Sequence, residues 1–291
     1  MKTIMVATDF SERSDRALRR ATLLARQTGA RLSLVHVVDD DQSMRIVEAE
    51  REVALRLLAE QSATLRRIDG VACETRVVLA SPFAGIAQAS EDEMPDLLVL
   101  GPHRRQVLRD AFVGTTAERA IRFVACPVLM ANAPPVGPYR NVLLATDLSD
   151  ASRAAIETFQ ALALHGHARL SALHVFDAPA IGLAMGHSLN KEDKEHYLET
   201  ERSEATGKLA AFFDDLDIAP AEYLLRHDAS GTADEILAAA RQDEAGLVVV
   251  GTRGRGGLAK FILGSVAEEV LRNATMDVLA IPPGPIGQDD D

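Results

Sequence analysis

The stretches Ile4-Met5-Val6-Ala7-Thr8-Asp9-Phe10-Ser11 and Val142-Leu143-Leu144-Ala145-Thr146-Asp147-Leu148-Ser149 carry one pattern twice. Each is a short apolar run of strand length, then Asp-x-Ser, then helical periodicity, so each opens a β-loop-α unit. The register that sets Asp9 on Asp147, a shift of 138, also sets Arg31 on Arg169, His36 on His174 and Val37 on Val175. In the helix that follows, the apolar stripe Ala17, Ala21, Leu24 and Ala25 recurs as Ala155, Phe159, Leu162 and Ala163. Further along the shift becomes 150: Gly101 meets Gly251, Gly114 meets Gly264, Glu118 meets Glu268 and Leu129 meets Leu279. The second copy is therefore twelve residues longer, and the gain is placed around Ala178–Leu189.

Outward from these strands the same alternation continues. A second strand is expected near Leu32–Val37, a long charged helix near Met44–Arg67, a third strand near Glu74–Leu79 and a helix after Pro82. The runs Leu97–Leu100 and Leu247–Val250 are uniformly apolar, as a parallel strand covered on both faces must be. Each copy closes with a short helix and a last strand, Val128–Met130 or Val278–Ile281. Alternating β and α predicts two repeated doubly wound α/β domains. The stretch Ala133–Pro138, with three prolines and a glycine, reads as their linker, giving domains at 1–132 and 139–284.

Composition narrows the function classes. The 291 residues are 47% hydrophobic and 25% charged, which suits globular domains with their own cores. A formal charge of −12 opposes general attraction to nucleic acid or anionic membrane. Cys73 and Cys126 show no paired spacing and suit a reducing compartment. With no leader pattern at MKTIMVATDF and no apolar run of spanning length, the cytoplasm is the expected location.

The string most charged with chemistry is Gly251-Thr252-Arg253-Gly254, then nine residues, then Gly264-Ser265. It begins where an apolar strand ends and finishes where a helix begins. Glycine lets backbone N–H groups crowd a phosphate and tolerates positive φ. A helix N-terminus adds free N–H groups and the favourable end of its dipole, and Arg253, Arg255 and Lys260 add positive charge.

This string resembles the G-2x-G-9x-G-[S/T] motif of the universal stress protein family, and the Ala-Thr-Asp after each first strand and the His-Val ending each second strand extend the resemblance over both halves. The resemblance implies a tandem member built on an adenine-nucleotide alpha-hydrolase-like fold, each repeat a five-stranded mostly parallel sheet of order 3-2-1-4-5. It implies ATP, with or without Mg²⁺, held in the second copy by Ala145, Thr146, Asp147, Val175, Gly251, Arg253, Gly254, Gly264, Ser265 and Val266. It implies a stress-response module with at most slow hydrolysis, and last strands that pair across the copies as an intramolecular pseudo-dimer, with a homodimer left open.

Other readings stand beside this one. Ser265-x-x-Glu268 is a capping box and Asp147 a helix-capping partner of Ser149. The P-loop fails because Gly257, not Lys, follows Gly256, and Gly254-Arg255-Gly256-Gly257-Leu258-Ala259 is misplaced for a dinucleotide fingerprint. His36 and His174 at strand ends read as structural, and His165-x-His167 as a solvated cap of the first helix of the second copy rather than a ligand pair. In the first copy Arg104 replaces the second glycine, in Gly101-Pro102-His103-Arg104, so that copy is expected to have lost ordinary ATP binding. A small-molecule enzyme of a related adenine-nucleotide superfamily and an interaction protein with a non-nucleotide ligand are the alternatives.

Overall fold

The computed structural model describes residues 1–102, 116–182, 190–253 and 263–283. Repeat 1 runs β1 (Thr3–Ala7), α1 (Glu12–Thr28), β2 (Arg31–Val38), α2 (Met44–Thr64), β3 (Cys73–Leu79), α3 (Pro82–Glu93), β4 (Leu97–Leu100), α4 (Thr116–Phe123) and β5 (Val128–Met130). Repeat 2 runs β6 (Asn141–Thr146), α5 (Asp150–Leu162), β7 (Arg169–Phe176), a short α6 (Pro179–Gly182), α7 (Lys191–Asp214), β8 (Glu222–His227), α8 (Thr232–Gln242), β9 (Leu247–Gly251), α9 (Ser265–Asn273) and β10 (Asp277–Ile281).

The strands form one ten-stranded sheet, β3-β2-β1-β4-β5-β10-β9-β6-β7-β8. Read inward from its outer edge, each repeat has the order 3-2-1-4-5 expected of it, with parallel pairing throughout. The two halves do not stay separate sheets. β5 and β10 pair antiparallel, Val278 with Met130, Leu279 with Leu129 and Ala280 with Val128, as expected for the last strands. An uncovered apolar edge would invite pairing with another chain, and each last strand covers the other.

Strand alternation divides the core into two layers. Ile4, Val6, Leu97, Val99, Leu247 and Val249 face α1, α2, α5 and α7 on one side. Met5, Leu98, Leu100, Val248 and Val250 face α3, α4, α8 and α9 on the other. Both layers run through the two repeats without a break. No described helix is long and apolar enough to cross a membrane.

The junction is polar at one point. Asp277 is fully buried, and its carboxylate accepts from Arg20 Nε (2.8 Å), the Tyr139 hydroxyl (2.8 Å) and the Ala133 N–H (2.9 Å). Arg20 also donates to the Gly137 carbonyl (2.8 Å) and stacks on the Tyr139 ring, 4.3 Å from its centroid. Desolvation dominates here and holds the Asp277 pKa above the ordinary carboxylate range, against the pull of Arg20 and its other donors. Desolvation and the Asp277 charge push the Tyr139 phenol up as well.

Three expectations need correction. Ser33 pairs with Glu74 and Ser171 with Glu222, a shift of 148, so the net gain by β8 is ten residues. The other two fall between β8 and α8, and residues 183–189 of the presumed insertion lie outside the described residues. The charged helix of repeat 1 stops at Thr64 and continues as a π-turn, Leu65–Asp69, closed by Gly70 at φ 67°. His165 is no solvated cap: it is half-buried with its ring 5.7 Å from Phe159, and Ala163, at φ 54°, ends α5.

Candidate functional site

The carboxyl edge of β6 delivers Ala145 and then Thr146, which is buried. Thr146 Oγ1 accepts from the Leu148 N–H (2.9 Å), and Leu148 takes φ 64°, a left-handed conformation costly for a side chain of its size. That kink aims Asp147 back at the helix start. Its Oδ1 accepts from the Ser149 N–H (3.1 Å), the Ser149 hydroxyl (2.6 Å) and the Ser152 hydroxyl (2.5 Å). Ser149 in turn is the N-cap of α5, accepting from the Ser152 N–H at 3.2 Å. Asp147 therefore braces the capping serine rather than capping the helix itself.

Repeat 1 builds the same corner. Phe10 has φ 59°, Asp9 Oδ1 accepts from the Ser11 N–H (3.0 Å) and hydroxyl (2.5 Å), and Ser11 caps α1. Desolvation works to raise the Asp9 pKa, but hydrogen bonds from Ser11 and Ser14 and the Arg13 charge outweigh it and hold the carboxyl below its usual range. The serine five residues after each aspartate, Ser14 and Ser152, belongs to this corner and was not singled out from the sequence. The shift of 138 that relates them was the available signal.

Val175 sits on β7, half-buried, and packs against the layer that faces α8 and α9. Beside it His174 Nδ1 meets the Thr146 carbonyl at 2.9 Å, as His36 Nδ1 meets Thr8 at 2.8 Å. Each ring ties the second strand to the end of the first, so Nδ1 carries the proton and the histidines serve the frame.

Gly251 ends β9, and the Thr252 N–H donates to the Ile281 carbonyl at 2.9 Å. The Thr252 carbonyl then accepts from the Gly264 N–H, also at 2.9 Å. The loop between them is clasped at its neck, with half-buried Arg253 leading into it, and Gly264, Ser265 and Val266 start α9 beside the end of β9. Gly254 and residues 255–262 lie outside the described residues, as do Arg104 and Gly114 of repeat 1.

Two physical reasons attached to this loop change. Gly264, not Ser265, is the N-cap of α9, with φ −62° and no side-chain cap, so Ser265-x-x-Glu268 is not a capping box. Glu268 instead accepts from Arg272 (2.8 Å) and, across the repeats, from Arg122 (3.0 Å). Gly251 and Gly264 are also not needed for positive φ: the described glycines with positive φ are Gly29, Gly70, Gly166 and Gly231. What they supply is close approach. A Cβ on Gly264 would stand 3.3 Å from the Thr252 carbonyl, and one on Gly251 3.3 Å from that of Arg253.

At the corresponding edge of repeat 1 the structure holds a cavity of about 410 Å³, which the sequence did not announce. Asp9, His36, Val37 and Gly101 line it in the places of Asp147, His174, Val175 and Gly251, while Arg13 and Thr116 replace Ala151 and Val266. Among the described residues no cluster of three or more His, Cys, Asp or Glu is placed to hold a metal.

The comparisons with known proteins agree with this architecture. The model of the universal stress protein family matches twice, over residues 1–132 and 138–282. A universal stress protein of Mycolicibacterium smegmatis is 26% identical, the match covering 96% of this chain and 97% of that protein. Universal stress protein E of Salmonella typhi is 24% identical, over 97% of this chain and 94% of its own length. Among solved structures, a universal stress protein of Archaeoglobus fulgidus superposes over 97% of this chain and 98% of its own, with a TM-score of 0.67 at 20% identity.

Proposed function

The chain is a member of the universal stress protein family, and on that premise we propose that repeat 2, residues 139–284, is a regulatory module that binds one ATP-class nucleotide. The observation that carries the reading is the start of α9. Among the described residues its first turn has no side-chain cap, and Gly264 is clasped to the end of β9 with backbone N–H groups of Ser265 and Val266 following it. Free N–H groups at a helix start, approached by backbone without side chains, form a cradle for phosphate oxygens. The fit continues at the sheet edge, where Asp147 would accept from ribose hydroxyls, Val175 would pack on the base, and Ala145 and Thr146 would form the wall between them. Arg253 and Gly254 complete the loop, and Mg²⁺ would enter with the phosphates.

The reading assigns binding and no catalytic residue. His174 is occupied by a backbone carbonyl, and Ser149 and Ser152 are tied to Asp147, so nothing in this corner is set as a nucleophile with its base. Nucleotide occupancy would act through conformation or partner choice. Repeat 1, residues 1–132, keeps the frame with Arg104 in place of the second glycine and is proposed to have lost ordinary ATP binding.

The test is Gly254→Arg, which writes the repeat 1 residue into the repeat 2 loop. Calorimetric titration with ATP should show one site per chain in the parent and at least about tenfold weaker binding in the variant, about 1.4 kcal/mol. Circular dichroism should be unchanged. Two equivalent sites in the parent, or unaltered affinity in a folded variant, would end the proposal.

A further inference from the structure

The cavity at the carboxyl edge of repeat 1 is not a copy of the corresponding place in repeat 2. Val37, Ile86 and Leu100 give it an apolar wall, and the repeat register sets Val175, Ile236 and Val250 in the same positions. The rest of the lining differs. Pro82 stands for Thr232, Pro102 for Thr252, Thr116 for Val266 and Arg13 for Ala151. Proline has no N–H, so the bond by which Thr252 ties the neck of the repeat 2 loop to the Ile281 carbonyl has no equivalent at Pro102. Repeat 1 has lost part of that clasp and gained a guanidinium.

Charge decides what such a cavity can hold. Among the described residues lining it, the carboxylate and the guanidinium are those of Asp9 and Arg13, and His36 has its Nδ1 committed to the Thr8 carbonyl. Asp9 and Arg13 stand 3.6 Å apart, longer than a hydrogen bond, and both side chains keep access to solvent, 62% and 34% exposed. Asp9 Oδ1 is taken by the N–H and hydroxyl of Ser11, which leaves Oδ2 on the side of the guanidinium. Desolvation pulls the Asp9 pKa up, but the serine donors and Arg13 hold it below the usual range, so the two groups present one full charge of each sign at neutral pH. A polyphosphate would bring several negative charges to a single guanidinium that already has a carboxylate beside it, in a chain of net charge −12. A simple carboxylate would be drawn by Arg13 and repelled by Asp9, and a simple amine the reverse. A ligand with both signs on neighbouring atoms satisfies both groups.

We infer that the repeat 1 cavity binds a small zwitterion with an apolar body, the chemistry of an apolar α-amino acid. The carboxylate of the ligand takes the N–H fork of Arg13, whose planar donors suit two oxygens at once. Its ammonium donates to Asp9 Oδ2, and its side chain lies against Val37, Ile86 and Leu100. The Thr116 hydroxyl offers the polar end a further partner where Val266 of repeat 2 offers none. A volume of about 410 Å³ falls within the range of small-molecule sites, about 300–1,000 Å³. Repeat 2 has no guanidinium at this place, so the two repeats answer to different ligands, and nothing in this assignment depends on what repeat 2 binds.

The test is calorimetric titration of the full chain with leucine, valine and phenylalanine, and with the analogues of the tightest binder that lack its amino or its carboxyl group, isocaproate and isoamylamine in the case of leucine. The amino acid should bind once per chain, and each analogue at least about tenfold more weakly. Arg13→Ala, which writes the repeat 2 residue into repeat 1, should weaken the amino acid by at least about tenfold with an unchanged thermal melt. Should that variant unfold, Arg13→Gln carries the same comparison. Arg19→Ala is the matched control: Arg19 pairs with Asp15 on the same helix at the same spacing as Arg13 with Asp9, but outside the cavity, and its loss should leave binding unaltered. A chain that binds none of the three amino acids, whether or not adenosine fills the cavity instead, would overturn the inference. So would an analogue missing one charge that binds as tightly as the amino acid, or an affinity that Arg13→Ala leaves intact or that Arg19→Ala lowers equally.

Discussion

At the carboxyl edge of repeat 1, Arg13 reaches to 3.6 Å from the Asp9 carboxylate; at the same edge of repeat 2 that helix position is Ala151. The backbone devices around the two positions are nevertheless the same: a left-handed residue after the aspartate, a capping serine braced by that aspartate, a histidine holding the first strand's last carbonyl. Parts that set the path of the chain are shared. Parts that face a cavity, such as Arg13 against Ala151 or Thr116 against Val266, have drifted apart. A duplicated fold constrains what its own backbone needs and leaves side chains over open space free to change.

The junction is the largest asymmetry to probe. Arg20 and Asp277 have no counterpart pair, since their shifted positions are Thr158 and Pro127. Arg20→Met strands a buried carboxylate and should cost about 3–5 kcal/mol in denaturant unfolding. Thr158→Met, in the equivalent helix of repeat 2, should cost less than about 1 kcal/mol. Similar losses would mean that the network does not secure the junction.

The first motif glycines offer the next test. A Cβ on Gly101 would lie 2.5 Å from the Arg13 carbonyl oxygen, backbone against backbone, while one on Gly251 finds its nearest neighbour at 3.3 Å. Gly101→Ala should therefore destabilise by about 1–3 kcal/mol and Gly251→Ala by clearly less. Equal melting temperatures would show that both glycines serve only the loop.

Of this fold, the repeat register and the apolar strands were legible because the hydrophobic period recurs at one shift and buried strands must be apolar on both faces. The single continuous sheet was reached only through the resemblance. What escaped was set by geometry of one residue or less. Spacing alone cannot say whether Gly264 or Ser265 ends the extended chain, so the cap of α9 was misplaced by one position. Phe10 and Leu148 carry none of the residue types that announce a left-handed turn. The cavity of repeat 1 stayed hidden because its walls, among them Asp9, Arg13, Val37, Ile86, Gly101 and Thr116, come from segments far apart in the sequence.

Two smaller comparisons sharpen the account of the shared corner. Ser149→Ala should cost about 1 kcal/mol through the lost cap, and Ser11→Ala less, since its cap bond is longer, 3.4 Å against 3.2 Å. Equal losses by chemical denaturation would separate cap length from cap strength. The smallest effect is acid dependence. Because the folded pKa of Asp9 lies below its ordinary value of 3.8, its contribution is present above that pH and is lost as pH falls through the lowered value. Asp9→Asn should flatten the low-pH limb of the stability curve, and an unchanged limb would place the acid sensitivity elsewhere.

The antiparallel match of β5 with β10 has a consequence for access. Every strand within a repeat points the same way, so reversing the order at the seam turns the mouth of one repeat to the top of the molecule and that of the other to its bottom. No single surface can stopper both mouths at once. Anything that gathers this protein by one end leaves the opposite doorway open to the surrounding solution.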